Sequence, residues 1–171
     1  KSYISSIDVD KNGYIYVGTQ AGTVRKIDPD GKPEWLYQGK HINELVVDNH
    51  GNIYAAGGRD NGLIKISPDG KEVWKYNGHE ANLTYVTVDN KGYIYTSDAD
   101  GVLKKIDTEN KDIKSQGKLN STIYGIDVDD EGFVYVSTAD GHLYKIDIDN
   151  KKLIWSIKPS SNKIREILLS H

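Results

Sequence analysis

The amino-acid sequence predicts an all-β fold, and two observations support this prediction. Short segments in which apolar and polar residues alternate are bounded throughout by Gly, Asp, Asn and Pro, a pattern typical of β-strands joined by tight turns. The pattern also repeats with a period of about 40 residues. Because about 40 residues that form four short strands are the size of one propeller blade, the sequence predicts a β-propeller built of four-stranded antiparallel blades.

Four sequence units carry the repeat. The stretch DVDKNGYIYV at 8–17 recurs as VVDNHGNIYA, TVDNKGYIYT and DVDDEGFVYV. Its turn glycines lie 38, 41 and 40 residues apart: Gly13, Gly51, Gly92 and Gly132. A second series is spaced by 40, 39 and 40 residues: Gly22, Gly62, Gly101 and Gly141. Two independent series of glycines therefore show the same repeat period.

Each unit is predicted to contain strands A, B, C and D. In the first unit they span about Ile4 to Val9, Tyr14 to Thr19, Thr23 to Ile27 and Pro33 to Tyr37. The predicted blades are residues 4–38, 42–77, 83–117 and 123–158. Strand B is apolar on both faces, as expected for a sheet packed between neighbouring blades. A two-sheet sandwich is the alternative, but its strands would need one wet face, which the B strands lack.

The length favours one domain, residues 1–171. Ile164, Ile167 and Leu169 follow the A-strand positions of the fourth unit at a spacing of 41 residues. We therefore predict that 164–169 is the first strand of a further blade or a closing strand, with one helical turn as the alternative. The chain would then be a fragment of a larger propeller, an open half that pairs with a second copy in an eight-blade ring, or a compact four-blade ring.

Composition excludes few function classes. The chain has 22 Lys and Arg against 25 Asp and Glu, so its net charge of -3 gives no long-range attraction to nucleic acid or to an anionic membrane. No apolar run reaches the roughly 20 residues of a membrane helix. The absence of cysteine fits an exported protein as well as a cytoplasmic one. The compartment stays open, with an exported or cell-surface location preferred over the cytoplasm.

The repeats resemble the propeller repeats of the pyrroloquinoline-quinone type and the related NHL type. The resemblance rests on D-x-x-G-x-[IV]-Y at 10–16, on D-G-x-L-x-K-I-D at 100–107 and 140–147, and on a tryptophan at the start of strand D. It covers essentially the whole chain. In this family, Trp35, Trp74 and Trp155 would dock each blade against its neighbour, and the third unit has Ile113 near that position. The resemblance implies a fold rather than a chemistry.

The first repeat also fits the start of a calcium-binding loop, D-x-D-x-N-G, with Asp8, Asp10 and Asn12 as candidate ligands. An EF-hand loop needs a bidentate Glu at its twelfth position, where Thr19 stands. Every unit keeps the second aspartate and the glycine, as a hairpin turn requires. We interpret the motif as a structural turn and keep a shallow calcium site as the alternative cofactor prediction.

Loop variation suggests a binding face. The A-to-B and C-to-D turns lie at one end of each blade and repeat the same turn chemistry. The B-to-C and D-to-A connections lie at the other end and vary, as loops that face a ligand can; unselected drift is the alternative explanation. The candidate ligand-binding residues at this end are His41, Asn43, Glu44, Arg59, Asp60, His79, Glu80, Asn82, Asp98, Asp100, Lys118 and Asn120.

These features favour a non-catalytic binding module or assembly scaffold that presents its variable loops to a protein or other ligand. A homodimer that completes the ring is a further predicted partner. The alternatives are a carbohydrate-binding propeller, which would show a recurring exposed aromatic residue in the D-to-A loops, and a propeller enzyme. The pairs His41–Glu44 and His79–Glu80 could form a metal or acid–base cluster in a lyase or lactonase. Four units without cysteine argue against a quinone-dependent dehydrogenase.

Overall fold

The computed structural model describes residues 2–57, 62–159 and 161–162, and in these ranges the chain forms sixteen β-strands. No helix long and apolar enough to span a membrane occurs among these residues. The strands are β1 (Ile4–Val9), β2 (Ile15–Thr19), β3 (Thr23–Ile27), β4 (Pro33–Gln38), β5 (Glu44–Val47), β6 (Ile53–Gly57), β7 (Gly62–Ile66), β8 (Glu72–Tyr76), β9 (Leu83–Val88), β10 (Tyr93–Asp98), β11 (Val102–Asp107), β12 (Ile113–Lys118), β13 (Ile123–Val128), β14 (Val134–Thr138), β15 (Leu143–Asp147) and β16 (Lys152–Ile157).

The strands form four antiparallel sheets, each with its strands in chain order. We call them blade 1 (β1–β4), blade 2 (β5–β8), blade 3 (β9–β12) and blade 4 (β13–β16). The all-β prediction with four-stranded antiparallel blades is thus confirmed. The chain divides into two compact units, Lys1–Val86 and Thr87–His171. The strand predicted at 164–169 lies outside the described residues.

One turn recurs between the first two strands of each blade. In blade 3, Asp89 Oδ1 accepts hydrogen bonds from the backbone N–H groups of Lys91 and Tyr93, both at 2.9 Å. Gly92 follows with a φ of 87°, which favours glycine. The equivalent aspartates of the other blades, Asp10, Asp48 and Asp129, bond in the same way. All four aspartates therefore close the same hairpin turn.

The turn aspartate also anchors a tyrosine of the next strand. Tyr16, Tyr54, Tyr95 and Tyr135 donate their hydroxyls to Oδ2 of their own turn aspartates at 3.0–3.1 Å. Tyr16, Tyr54 and Tyr95 are at most 1% exposed. These three rings therefore pack in the core, and a sugar could not stack on a ring that solvent does not reach.

The first unit packs a core between blade 1 and blade 2. It contains Tyr16 and Val24 of blade 1 together with Leu45, Ile53 and Ile64 of blade 2. In β6, the residues Ile53, Tyr54, Ala55 and Ala56 are all fully buried, so both faces of this strand are covered as the sequence predicts.

The second unit also buries apolar side chains. Leu103, Ile106, Ile123, Val134 and Val136 are at most 1% exposed. Polar contacts add to this packing where β13 lies beside blade 3: Thr87 donates to Asp127 at 3.3 Å and Asn90 donates to Asp130 at 3.0 Å.

Candidate functional site

Asp8, the first predicted calcium ligand, links two strands of the first unit. Its Oδ1 accepts from the backbone N–H of Val9 and its Oδ2 from that of Val47, both at 2.8 Å. Burial raises the pKa of Asp8, and these two hydrogen bonds oppose the rise. Both carboxylate oxygens therefore have protein partners, and Asp8 joins β1 to β5.

Asp10 and Asn12 belong to the repeated turn. Asp10 Oδ1 accepts from the backbone N–H of Asn12 and Tyr14 at 2.9 and 3.1 Å, and Oδ2 accepts from the Tyr16 hydroxyl. Among the described residues, no group of three or more His, Asp or Glu side chains is placed to hold a metal ion. Calcium binding at this turn stays a prediction, and the contacts of Asp8 and Asp10 give it no support.

Three loop residues predicted to bind a ligand make contacts inside the first unit. The His41 Nε2 lies 2.9 Å from Asn43 Oδ1, and Asn43 Nδ2 donates to the Leu83 backbone oxygen at 2.6 Å. Glu44 Oε1 accepts from the Ser6 hydroxyl at 2.6 Å. Asn43 and Glu44 thus connect strands, and His41 is half-buried beside them.

The second predicted histidine is buried. His79 is 4% exposed, and its ring meets that of Tyr76 edge-on with centroids 6.4 Å apart. Glu80 and Asn82 of the same loop are exposed. His79 therefore packs into the fold, while its neighbours face solvent. Arg59 and Asp60 lie outside the described residues.

In the second unit, Asp98 differs from the other predicted binding residues. It is 1% exposed, and its Oδ1 accepts from the backbone N–H groups of Asp100 and Val102 at 3.0 and 2.9 Å. It therefore closes the β10-to-β11 turn. Asp100, Lys118 and Asn120 are exposed and available to a ligand.

The β14-to-β15 turn of blade 4 holds a polar cluster that the sequence analysis did not select. Thr138 donates to Asp140 Oδ1 at 2.6 Å, and His142 Nδ1 lies 3.0 Å from Asp140 Oδ2 without hydrogen-bond alignment. The hydroxyls of Thr138 and Ser121 and the proximity of His142 lower the pKa of Asp140. The His142 ring stacks on that of Tyr144, with centroids 5.7 Å apart. In the sequence, blade 4 is the only repeat in which a histidine directly follows the glycine of the B-to-C turn, and this is the signal that could have indicated the cluster.

Tryptophan docking joins blade 1 to blade 2. Trp35 Nε1 donates to the Pro68 backbone oxygen at 3.0 Å, and the indole lies so close to Gly70 that a Cβ there would meet it at 2.8 Å. Two residues further along the same strand, the Tyr37 hydroxyl donates to Glu72 Oε2 at 2.5 Å. These contacts confirm the docking role that the family resemblance implies for Trp35.

Blade 3 lacks this tryptophan, and the strand register shows that Ser115, two residues after Ile113, holds the equivalent position. Trp35 pairs with Lys26, whereas the equivalent Lys105 pairs with Ser115; Ile113 pairs with Ile106. Ser115 donates to Asp149 Oδ1 at 2.9 Å, and Lys105 Nζ lies 2.6 Å from Asp149 Oδ2. In blade 4, Trp155 follows Lys145 by ten residues, and the same spacing from Lys105 in blade 3 leads to Ser115.

The comparisons with known proteins agree with this architecture. The β-propeller domain of Cps50 (Swd1) from Myceliophteria thermophila matches with a TM-score of 0.83 and 18% identity, over 99% of this chain and 61% of that chain. The chain is therefore a β-propeller, and it spans about three-fifths of the length of that structure.

A family model assigns the chain more closely. The model described as outer membrane protein assembly factor BamB matches residues 60–170, more than half of the chain. The chain belongs to this family of pyrroloquinoline-quinone-like propeller repeats. No curated protein matches the chain.

Proposed function

We propose that this β-propeller is a non-catalytic protein-binding module that acts as a scaffold in the assembly of outer membrane proteins. The family description supports the assembly role. The fold supports the binding role, because a propeller presents many loops on a rigid framework.

One observation carries the proposal: the two ends of each blade differ in how their polar side chains are used. At the A-to-B turns, the four aspartates make the same backbone hydrogen bonds. At the other end, the exposed polar side chains differ from loop to loop. They are Glu80 and Asn82 in the first unit, and Asp100, Lys118 and Asn120 in the second. We assign partner binding to these exposed residues within each unit, and in the first unit we add the half-buried His41.

Site-specific photo-crosslinking tests this assignment. A photoreactive amino acid is placed at Asn82 or Asn120 in the chain expressed in cells with an outer membrane, and the products are identified by mass spectrometry. Matched controls carry it at Asn49 and Glu131, which are exposed at the opposite turns. We expect products with outer membrane proteins or other members of their assembly machinery from the first pair alone. Equal products from both pairs would exclude the loop assignment.

We further propose that two copies join through their tryptophan contacts to complete a ring. Trp155 holds the register position of Trp35 but is 36% exposed. The turn Pro29–Gly31 repeats the Pro68–Gly70 turn on which Trp35 docks, and a Cβ added at Gly31 would meet no atom within 4 Å. A second copy could present this turn to Trp155, and the exposed apolar residues of β1 and β16 would be covered.

Light scattering tests this second proposal. The native mass is expected near twice 19.1 kDa, and Trp155→Ala should shift it toward the monomer. Trp74→Ala is the control that removes the tryptophan of blade 2. A monomeric native protein would exclude the dimer without affecting the loop assignment.

A further inference from the structure

A cavity of about 320 Å³ opens between blade 3 and blade 4, in the second unit. It lies beside strands β12, β15 and β16, and of the loop residues assigned above only Lys118 borders it. Its walls are mostly apolar, formed by Leu103, Leu119, Tyr144, Ile146, Ile148 and Leu153. This volume is at the small end of the range for ligand sites, and it suits one aromatic group.

The cavity exists because blade 3 lacks two aromatic side chains. In blade 1, Trp35 pairs with Lys26 and Tyr37 pairs with Val24, and both rings fill the groove against blade 2. In blade 2, Trp74 and Tyr76 hold the same positions. The equivalent residues of blade 3 are Ser115, which pairs with Lys105, and Gly117, which pairs with Leu103.

Gly117 shows that this space is open. A Cβ added to Gly117 would meet no atom within 4 Å. By contrast, the indole of Trp35 lies 2.8 Å from the position of a Cβ on Gly70. Blade 4 therefore does not fill the space that the smaller residues of blade 3 leave.

The rim of the cavity is cationic. Lys118, Lys151 and Lys152 line it, and all three are exposed. A group that enters the apolar interior would thus have positive charge on its outer side. The adjacent strand β12 is at the edge of its sheet, where an extended segment could lie alongside.

We propose that this cavity binds an aromatic side chain carried in an acidic segment of a partner protein. The ring would occupy the space between blades 3 and 4 that corresponds to the space filled by Trp35 and Tyr37 between blades 1 and 2. The acidic residues on each side of the ring would face the three lysines. Apolar burial would supply most of the affinity, and the lysines would select for charge. The site shares only Lys118 with the loop residues assigned above. Its apolar interior and the other two lysines are distinct from them, so either proposal can fail without the other.

Peptide titrations followed by NMR test the proposal on the complete chain. The probes are acetylated, amidated tripeptides with the sequences Glu-Trp-Glu, Lys-Trp-Lys and Glu-Ala-Glu. We expect Glu-Trp-Glu alone to shift the backbone amide signals of Gly117 and Leu119 in a saturable manner. Binding of Glu-Ala-Glu with similar affinity, or no shift with Glu-Trp-Glu, would overturn the proposal.

Two variants separate the cavity from its rim. Gly117→Tyr restores the aromatic residue of blade 1 and should weaken Glu-Trp-Glu binding by about tenfold or more, because it fills the cavity. Lys151→Glu/Lys152→Glu should reverse the preference between Glu-Trp-Glu and Lys-Trp-Lys while the cavity stays open. Circular dichroism confirms the fold of each variant. Wild-type affinity for Glu-Trp-Glu in folded Gly117→Tyr would contradict the site, as would an unchanged charge preference in the lysine variant.

Discussion

The indole of Trp35 donates a 3.0 Å hydrogen bond to the backbone oxygen of Pro68, which joins the outer strand of blade 1 to a turn of blade 2. The same ring packs against Tyr16, with centroids 6.3 Å apart, and covers Gly70. One side chain therefore connects its own sheet to the next.

Trp35→Ala is expected to destabilise the protein by about 2–4 kcal/mol, because it removes a large, partly buried ring and leaves a gap above Gly70. Trp35→Phe should cost less, since it keeps much of the apolar contact and loses chiefly the hydrogen bond to Pro68, worth about 1 kcal/mol. Urea denaturation followed by circular dichroism measures both. Equal losses for the two variants would show that ring packing is not the main contribution.

Asp89→Ala is expected to cost about 2 kcal/mol, because two backbone N–H groups and the buried Tyr95 hydroxyl lose their acceptor. Tyr95→Phe removes only the hydroxyl contact and should cost about 1 kcal/mol. The double variant should lose less stability than the sum of the two single-variant losses, since both changes delete the same hydrogen bond. Simple additivity in the denaturation midpoints would contradict this coupling.

Asp149→Ala is expected to destabilise the second unit by about 1–3 kcal/mol, because it leaves the largely buried Lys105 ammonium without its carboxylate and also releases Ser115. Half of the Asp149 side chain is exposed, which limits the loss. Asp69→Ala is the matched control, since its ion pair with Lys71 is at the surface. Similar thermal shifts for the two variants would show that the Asp149 contacts contribute no more than a surface ion pair.

Asp8 and Asp129 are expected to give opposite pH dependences. Burial raises the pKa of Asp8, so the folded state binds its proton more tightly than the unfolded chain. Stability then falls as pH rises from the ordinary value of 3.8 through the raised pKa. For Asp129, burial is outweighed by hydrogen bonds from Phe133, Lys145 and Tyr135, which lower its pKa. Its contribution is present above 3.8 and is lost as pH falls through the lowered pKa.

The free energy of unfolding of the wild type, Asp8→Asn and Asp129→Asn between about pH 2.5 and 7 measures this difference. Asp8→Asn should gain stability relative to the wild type as pH rises through the Asp8 titration. Asp129→Asn should lose stability relative to the wild type as pH rises through the Asp129 titration, which lies at lower pH. Parallel curves for the two variants would be inconsistent with the opposite shifts.

The sequence alone determined the blade repeat and the A-to-B turns, because both depend on interactions between residues close in the chain. The turn Asp10-x-x-Gly13 closes with hydrogen bonds that span no more than four residues, so its period and its chemistry can be read directly. The consecutive apolar residues of the B strands likewise predicted that these strands are buried on both faces, as β6 shows.

Tertiary structure alone decided what the side chains of the variable loops and outer strands contact. His79 and Asp98 are polar residues in loops, and only packing shows that they are buried. Asp8 resembles a calcium ligand in the sequence, and only the tertiary structure shows that its second oxygen accepts a hydrogen bond from Val47 of β5. The cavity beside Gly117 depends on strand register and on the neighbouring blade, and such contacts between residues distant in sequence leave no local pattern.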